Sequence, residues 1–173
     1  MSTPITLAAL TGGRDKEPKV AMRPINAADV PTLAELYFNA YVPAAIEGWS
    51  PAEASSRLHG LINGGHERPI SMASLLAEDT DSQITAAIVV LEGASGDEKE
   101  QPAFIAELFI HPEHQRKGLA QELLHSAMNA LHAMGRSTIA VTVDSANAAA
   151  MALYLSMDFR RWPPQSGENE DWD

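Results

Sequence analysis

The chain contains no cysteine, so it carries no disulfide and no thiolate metal site, and a covalent acyl-cysteine route is excluded. Long apolar runs are missing too. No stretch reaches the roughly 18 consecutive apolar residues of a membrane span, and no basic segment leads into an apolar run near the N-terminus. The expectation is a cytoplasmic protein without a membrane partner. Cations are scarce: 12 Lys and Arg face 23 Asp and Glu, a net charge of -11. Nucleic acid is therefore not an expected partner, because phosphate backbones recruit basic surfaces. A cationic partner is compatible with this charge. Neither Gly-x-x-x-x-Gly-Lys-[Ser/Thr] nor Gly-x-Gly-x-x-Gly occurs, so the common nucleotide loops do not apply. There is no internal repeat.

At 173 residues, 45% of them apolar, the chain can bury one sizeable core, and a single domain suffices. Residues 1–19 read as a flexible lead-in, although apolar Ile5 to Leu10 can add an edge strand. Residues 163–173, with Gly167-Glu-Asn-Glu-Asp-Trp-Asp173, read as a solvated acidic tail. Between them, residues 20–162 form the domain. Val20 to Pro24 is a short strand. Asn26 and Asp29 start a helix with Val30, Leu33, Leu36, Tyr37 and Ala40 on one face, and Pro43 stops it. Ser50-Pro51-Ala-Glu53 starts a second helix, with Leu58, Leu61 and Ile62 ahead of Gly64-Gly65. Ile70 to Leu76 and Ile84 to Leu91 read as strands joined at Asp79-Thr-Asp-Ser82, and the acidic loop 94–102 leads to a strand over Phe104 to Ile110. A helix over 118–134, capped by Gly135, carries Leu123, Leu124, Ala127, Met128 and Leu131 as a core stripe. Its His125 and His132 lie seven apart, a spacing unsuited to metal ligation from one helix, and no metal is expected. Ser137 to Val143 is a β-branched strand, and Phe159 to Trp162 a candidate last strand.

The most informative stretch is Ile110-His-Pro-Glu-His-Gln115-Arg-Lys-Gly118-Leu-Ala120. It reads as a strand ending in a glycine-bearing turn that opens a helix. The first N–H groups of a helix have no partner within it, and its dipole adds about half a positive charge there, so such a turn can seat a diphosphate; the six-residue pattern alone equally fits a surface turn with a helix after it. Gly118 permits unusual dihedrals, Ala120 keeps the next turn narrow, and Arg116 and Lys117 add charge. Downstream comes Asn147-Ala-Ala-Ala150-Met-Ala-Leu153-Tyr154, followed by Asp158-Phe159.

Gln-x-x-Gly-x-Ala, followed by Asn-x-x-Ala-x-x-Leu-Tyr, resembles the acyl-CoA site of the GNAT superfamily N-acetyltransferases. Asp158 stands where that family usually has Gly, and Asp tolerates left-handed backbone better than most residues. The resemblance spans roughly residues 20–162 and is specific from about 104 onward. It implies a mixed α/β (α+β) fold: a central, mostly antiparallel sheet whose fourth and fifth strands, 104–110 and 137–143, run parallel and splay at the CoA site, with about four flanking helices. It implies acetyl-CoA as co-substrate, its pyrophosphate on Gln115, Arg116, Lys117, Gly118, Leu119 and Ala120. The acetyl group would lie along the strand, its carbonyl met by a backbone N–H near Phe109 or Ile110 at a bulge. Asn147 fits a helix N-cap, a contact to the pantetheine arm, or both.

Acyl transfer needs a neutral nucleophile, a stabilised carbonyl oxygen and a proton for the departing thiolate. An amine of pKa about 10.4 is neutral in about one molecule per thousand near pH 7, a penalty of about 4–5 kcal/mol. Glu107 alternates with Leu108 and Ile110 and faces away from one apolar layer. The resemblance makes it a base acting through water or an amine anchor; an exposed strand carboxylate or a structural hydrogen bond is the remaining alternative. The resemblance assigns the general-acid role to Tyr154, which fits because a phenol stays protonated as the thiolate leaves; without the resemblance Tyr154 reads as a core aromatic on a helix. Tyr41, Glu47 and Trp49 are candidates for acceptor contacts. The acceptor class stays open among small amines, amino acids, antibiotics and peptide or protein N-termini. Homodimers are common among similar proteins. A CoA-binding sensor without catalysis is the alternative, against which the pair Glu107 and Tyr154 argues.

Overall fold

A computed structural model describes residues 3–12, 18–41, 50–62, 68–92 and 102–162. Its strands are β1 (Pro4–Leu10), β2 (Ala21–Pro24), β3 (Leu75–Glu78), β4 (Ile84–Leu91), β5 (Ala103–Ile110), β6 (Thr138–Asp144) and β7 (Arg160–Arg161). The helices are α1 (Val30–Tyr41), α2 (Pro51–Ile62), α3 (Leu119–Ala133) and α4 (Ala148–Ser156). One sheet holds all seven strands in the order β2-β3-β4-β5-β6-β1-β7. Every pairing is antiparallel except β5 with β6. These are the strands over 104–110 and 137–143 in which a parallel pair is expected; they become fifth and sixth because a strand precedes them.

Helices cover both faces of the sheet, and the alternation of side chains along each strand assigns them. Leu75, Ala77, Ala86, Ile88 and Val90 join the core with α3, where Leu119, Leu123, Leu124, Ala127, Met128 and Leu131 are buried. From the same strands, Leu76 and Ala87 face the other way and pack with Leu33, Leu36 and Tyr37 of α1 and Ala54 and Leu58 of α2. Each fully buried leucine contributes about 1.5–3 kcal/mol of transfer free energy. The helix starts follow their sequence signals: Asn26 and Asp29 form a reciprocal capping box before α1, and the Ser50 hydroxyl accepts the Glu53 N–H at the start of α2.

Two elements differ from the sequence reading. Ile5 to Leu10 is part of a strand, but not an edge strand: β1 pairs with β6 along its whole length and with β7 through Leu7 and Ala8. Ile70 to Leu76 is not one strand. Ser71–Ala73 form a turn of 3-10 helix and β3 begins at Leu75. The Ser74 hydroxyl explains the break, since it accepts the Val90 N–H at 3.0 Å and donates to the Val90 carbonyl at 3.2 Å in place of a ladder pair. The acidic loop before β5, the residues after 162, and Pro43, Glu47 and Trp49 lie outside the described residues, as does the Tyr41 side chain.

Candidate active site

The site begins with an irregularity in β5. Val89 pairs with Glu107 but Val90 pairs with Ile105, which leaves Ala106 as an extra residue. The bulge reverses the phase of the strand. Ala103 and Ile105, before it, belong to the α3 core, whereas Phe109, after it, belongs to the α1/α2 core. The expected bulge near Phe109 or Ile110 thus falls at Ala106, where the pairing with β4 requires it. Pairing with β6 also stops there, being limited to Ala103–Ile139, Phe104–Ala140 and Ile105–Val141. Beyond these residues the parallel strands separate.

The separation frees backbone groups. The His111 N–H donates to the Thr85 carbonyl at 2.8 Å and extends the β4–β5 ladder. Because an antiparallel ladder alternates, Glu107 and Phe109 direct their backbone groups to β4, while Leu108 and Ile110 direct theirs to the opened side. Of the two backbone donors read from sequence, Ile110 therefore faces the opening and Phe109 does not.

The turn after β5 is built from unusual dihedrals. Arg116 (φ 66°) and Gly118 (φ 81°) both adopt left-handed backbone, a sequence of conformations that turns successive N–H groups to one side. A Cβ on Gly118 would meet nothing within 4 Å, so the demand for glycine comes from the dihedral. Gly118 is the N-cap of α3 and contributes no side-chain cap bond; the first N–H groups of the helix stay available to an anion. The Gln115 side chain donates to the Ile110 carbonyl at 3.3 Å and ties the turn to the strand end. Leu119 buries its side chain in the core, leaving only its backbone to the turn. Arg116 and Lys117 are exposed.

Two clefts meet at this opening. The larger, about 320 Å³, runs between the α1 end at Ala40, the β5 residues Leu108 to Ile110, Gln115 and Ala120 of the turn and α3, and the first turns of α4. The smaller, about 240 Å³, occupies the splay, with Glu107 on β5, Val141 to Asp144 on β6, and α4. Both are lined by Leu108, Asn147, Ala150 and Tyr154. The Asn147 side chain accepts the Ala150 N–H at 3.1 Å as the N-cap of α4. Alanines at 148 to 150 keep the first turn of α4 thin where the clefts meet. Tyr154 is 4% exposed, with its ring edge-on to Phe159 at 5.1 Å. Burial, and next the charge of Glu107, raise its phenol above the ordinary value. Asp158 is left-handed at φ 70° and turns the chain back after α4.

Glu107 is 8% exposed and does not stand alone. Its Oε2 accepts from the Tyr37 hydroxyl at 2.8 Å and from Arg57 Nε at 2.8 Å, and Arg57 Nε also lies 2.9 Å from the Tyr37 oxygen. Burial, then the Glu107 carboxylate, raise the Tyr37 phenol; for Arg57 burial acts downward, but Glu107 and Tyr37 more than offset it and its guanidinium is raised. The Tyr37 ring rests on Phe109 with centroids 5.0 Å apart. This cluster joins α1, α2 and β5.

The structure therefore brings Glu107, Phe109, Ile110, Gln115, Ala120, Asn147 and Tyr154 to the two clefts and places Arg116, Lys117 and Gly118 on the turn at their end. Sequence reasoning put Tyr37 in the core and passed over Arg57. The missed signal was the phenol hydroxyl on a buried face, which needs a polar partner.

Solved structures share this fold. A GCN5-related N-acetyltransferase from Sphaerobacter thermophilus superposes with a TM-score of 0.70 at 16% identity, over 92% of this chain and 48% of that one. The ribosomal-protein-S18-alanine N-acetyltransferase of Escherichia coli gives 0.60 at 22% identity, over 79% of this chain and 75% of that one. An aminoglycoside 6'-N-acetyltransferase from Acinetobacter haemolyticus gives 0.59 at 19%, over 81% of this chain and 90% of that one. The sequence profile described as the acetyltransferase (GNAT) family matches residues 32–159, and the chain belongs to that family. Among curated relatives, the mycothiol acetyltransferase of Kocuria rhizophila is 42% identical over 53 residues, 31% of this chain and 18% of that protein. The ribosomal protein bS18-alanine N-acetyltransferase of Escherichia coli K12 is 33% identical over 75 residues, 40% of this chain and 51% of that protein. The chain thus spans about half, or less, of the length of these curated relatives.

Proposed function

We propose that this chain is a cytoplasmic N-acetyltransferase that moves an acetyl group from acetyl-CoA directly to the amine of a small molecule, an amino acid or a peptide or protein N-terminus. The observation that carries the reading is the meeting of the two clefts at Tyr154, one running to the uncapped start of α3 and the other holding Glu107. The left-handed turn at Arg116 and Gly118, the open α3 N-terminus and the exposed charges of Arg116 and Lys117 fit a diphosphate; Asn147 and the thin alanine turn of α4 fit a narrow arm reaching inward. Enzymes similar to this chain include acetyltransferases of a ribosomal-protein alanine and of an aminoglycoside.

Each residue then has a distinct task. Leu108 and Ile110 turn backbone groups toward the acetyl carbonyl, whose oxygen gains charge as the amine adds. Glu107 supplies the negative charge that attracts the acceptor and takes its proton through water. Tyr154 donates its proton to the sulfur as the carbon–sulfur bond breaks, and burial keeps that proton in place until the thiolate forms. The products are an N-acetylated amine and free CoA.

The test is thiol release from acetyl-CoA with amines, amino acids, aminoglycosides and N-terminal peptides, alongside Gly118→Glu. Release that requires one acceptor class, and loss of acetyl-CoA affinity by calorimetry in the variant, are expected. Tight acetyl-CoA binding with no release for any acceptor would make the chain a sensor and defeat the proposal.

A further inference from the structure

The Glu107 cluster contains a donor set that the transfer step does not use. Arg57 meets Glu107 and Tyr37 through Nε alone, at 2.8 and 2.9 Å. Its two terminal nitrogens make no hydrogen bond with a described residue. The side chain is 52% exposed, whereas that of Glu107 is 8% exposed, so the guanidinium has one edge on a buried carboxylate and the other toward solvent. A pure counterion would meet the carboxylate with two parallel N–H bonds, the stronger geometry for that pair. Here the outer edge, a planar fork of N–H donors, is held ready. Two partners from neighbouring elements fix its orientation on α2: Tyr37 from α1 and Glu107 from β5.

We propose that Arg57 recognises a carboxylate on the acceptor, so that the preferred acceptor is a zwitterion with an amine and a carboxylate close together. This rests on the N-acetyltransferase reading and narrows its substrate. Arg57 is not among the residues lining either cleft and lies one hydrogen bond behind Glu107, so an acceptor that reaches around Glu107 to its α2 side meets a negative and a positive group in succession. The ammonium is drawn to Glu107 and to Asp144, which lines the same cleft, and the carboxylate takes the Arg57 fork bidentately. A like-charged arrangement, a diamine for example, would set one cation against the guanidinium. Tyr37 and Glu107 hold Arg57 in orientation before the acceptor arrives, which lowers the ordering cost of binding.

The experiment compares each amino acid with its own amide and methyl ester as acceptors for the full chain, with acetyl-CoA saturating. Wild type is expected to show a KM at least ten-fold lower for the carboxylate than for the amide, with similar kcat. Arg57→Gln should raise the carboxylate KM far more than the amide KM and bring their ratio toward one. Arg57→Lys keeps charge but not the fork, and should recover only part of the ratio. Thermal melts accompany each variant. The wild-type comparison decides the matter even where a variant does not fold. Equal KM for carboxylate and amide in wild type would overturn the proposal while leaving the acetyltransferase reading intact, as would equal losses for both acceptors in a folded Arg57→Gln. Silence with every acceptor, peptides and aminoglycosides included, would instead remove the acetyltransferase reading and this inference with it.

Discussion

Replacing Tyr154 with Phe separates chemistry from stability unusually well in this fold. No described residue hydrogen-bonds the Tyr154 hydroxyl, and the ring contact with Phe159 at 5.1 Å survives the substitution. Folding stability should therefore change by less than about 0.5 kcal/mol. The turnover effect should be much larger. A thiolate is already a fair leaving group, so losing its proton donor should lower kcat by about 10- to 1,000-fold, equivalent to about 1.4–4.1 kcal/mol in the transition state. Acetyl-CoA affinity, set mainly by the α3 turn, should stay within about two-fold by calorimetry, since the hydroxyl gains its value only as charge forms on sulfur. Continuous thiol detection gives kcat, and urea unfolding gives stability on the same preparation. Because the phenol is raised above its ordinary value, Tyr154 should impose no alkaline limb on the wild-type rate below about pH 10. Unchanged kcat in the variant, or a fall in kcat matched by lost stability, would refute the acid assignment.

Gly118→Ala should cost about 1–2 kcal/mol in urea melts, since its φ of 81° is strained for any side chain although space is open. Gly118→Asn should cost less, and equal costs would mean that the dihedral is not what selects glycine. Tyr37→Phe removes a hydrogen bond to a buried carboxylate and should lower stability by about 1.5–3 kcal/mol; a loss under about 0.5 kcal/mol would show that the cluster is not held in solution. Asp29 accepts two bonds from Arg23, at 2.8 and 2.9 Å, which with the Asn26 N–H hold its carboxyl below the ordinary range despite burial. A depressed folded value stabilises above the unfolded value of about 3.9 and is lost as pH falls through the folded one. The stability gap between wild type and Asp29→Asn should thus be full at pH 7 and shrink below about pH 4 in urea titrations; a pH-independent gap would refute it.

Much of the fold was legible because local chemistry sets it. The α3 stripe from Leu123 to Leu131 is buried as its 3.6-residue period demands, Asn147 caps α4, and Asp158 takes the left-handed conformation that its side chain tolerates. The illegible parts depend on partners distant in sequence. The bulge at Ala106 exists only relative to β4, and nothing within Ala-Phe-Ile-Ala-Glu marks which residue will be extra. Ser74 looks like a strand residue until Val90 lies opposite. Arg57 reaches Glu107 only because α1 and α2 pack together over β5, and the motif near Gly118 carries no trace of that packing.

The placement of β1 has a consequence for how the protein is made and handled. This strand pairs Pro4 with Asp144 and Leu10 with Thr138, joining stretches of chain separated by most of the sequence, and it lies outside the family-matched residues 32–159. Its partner β6 runs into Asn147, so the wall of the site rests on residues near the start of the chain. During synthesis β1 must wait, unpaired, until the distant β6 has emerged, a slow closure of high contact order. A fragment trimmed to the matched segment would strip β6 of its neighbour along seven residue pairs and present an open apolar edge to other copies of itself, a template for aggregation.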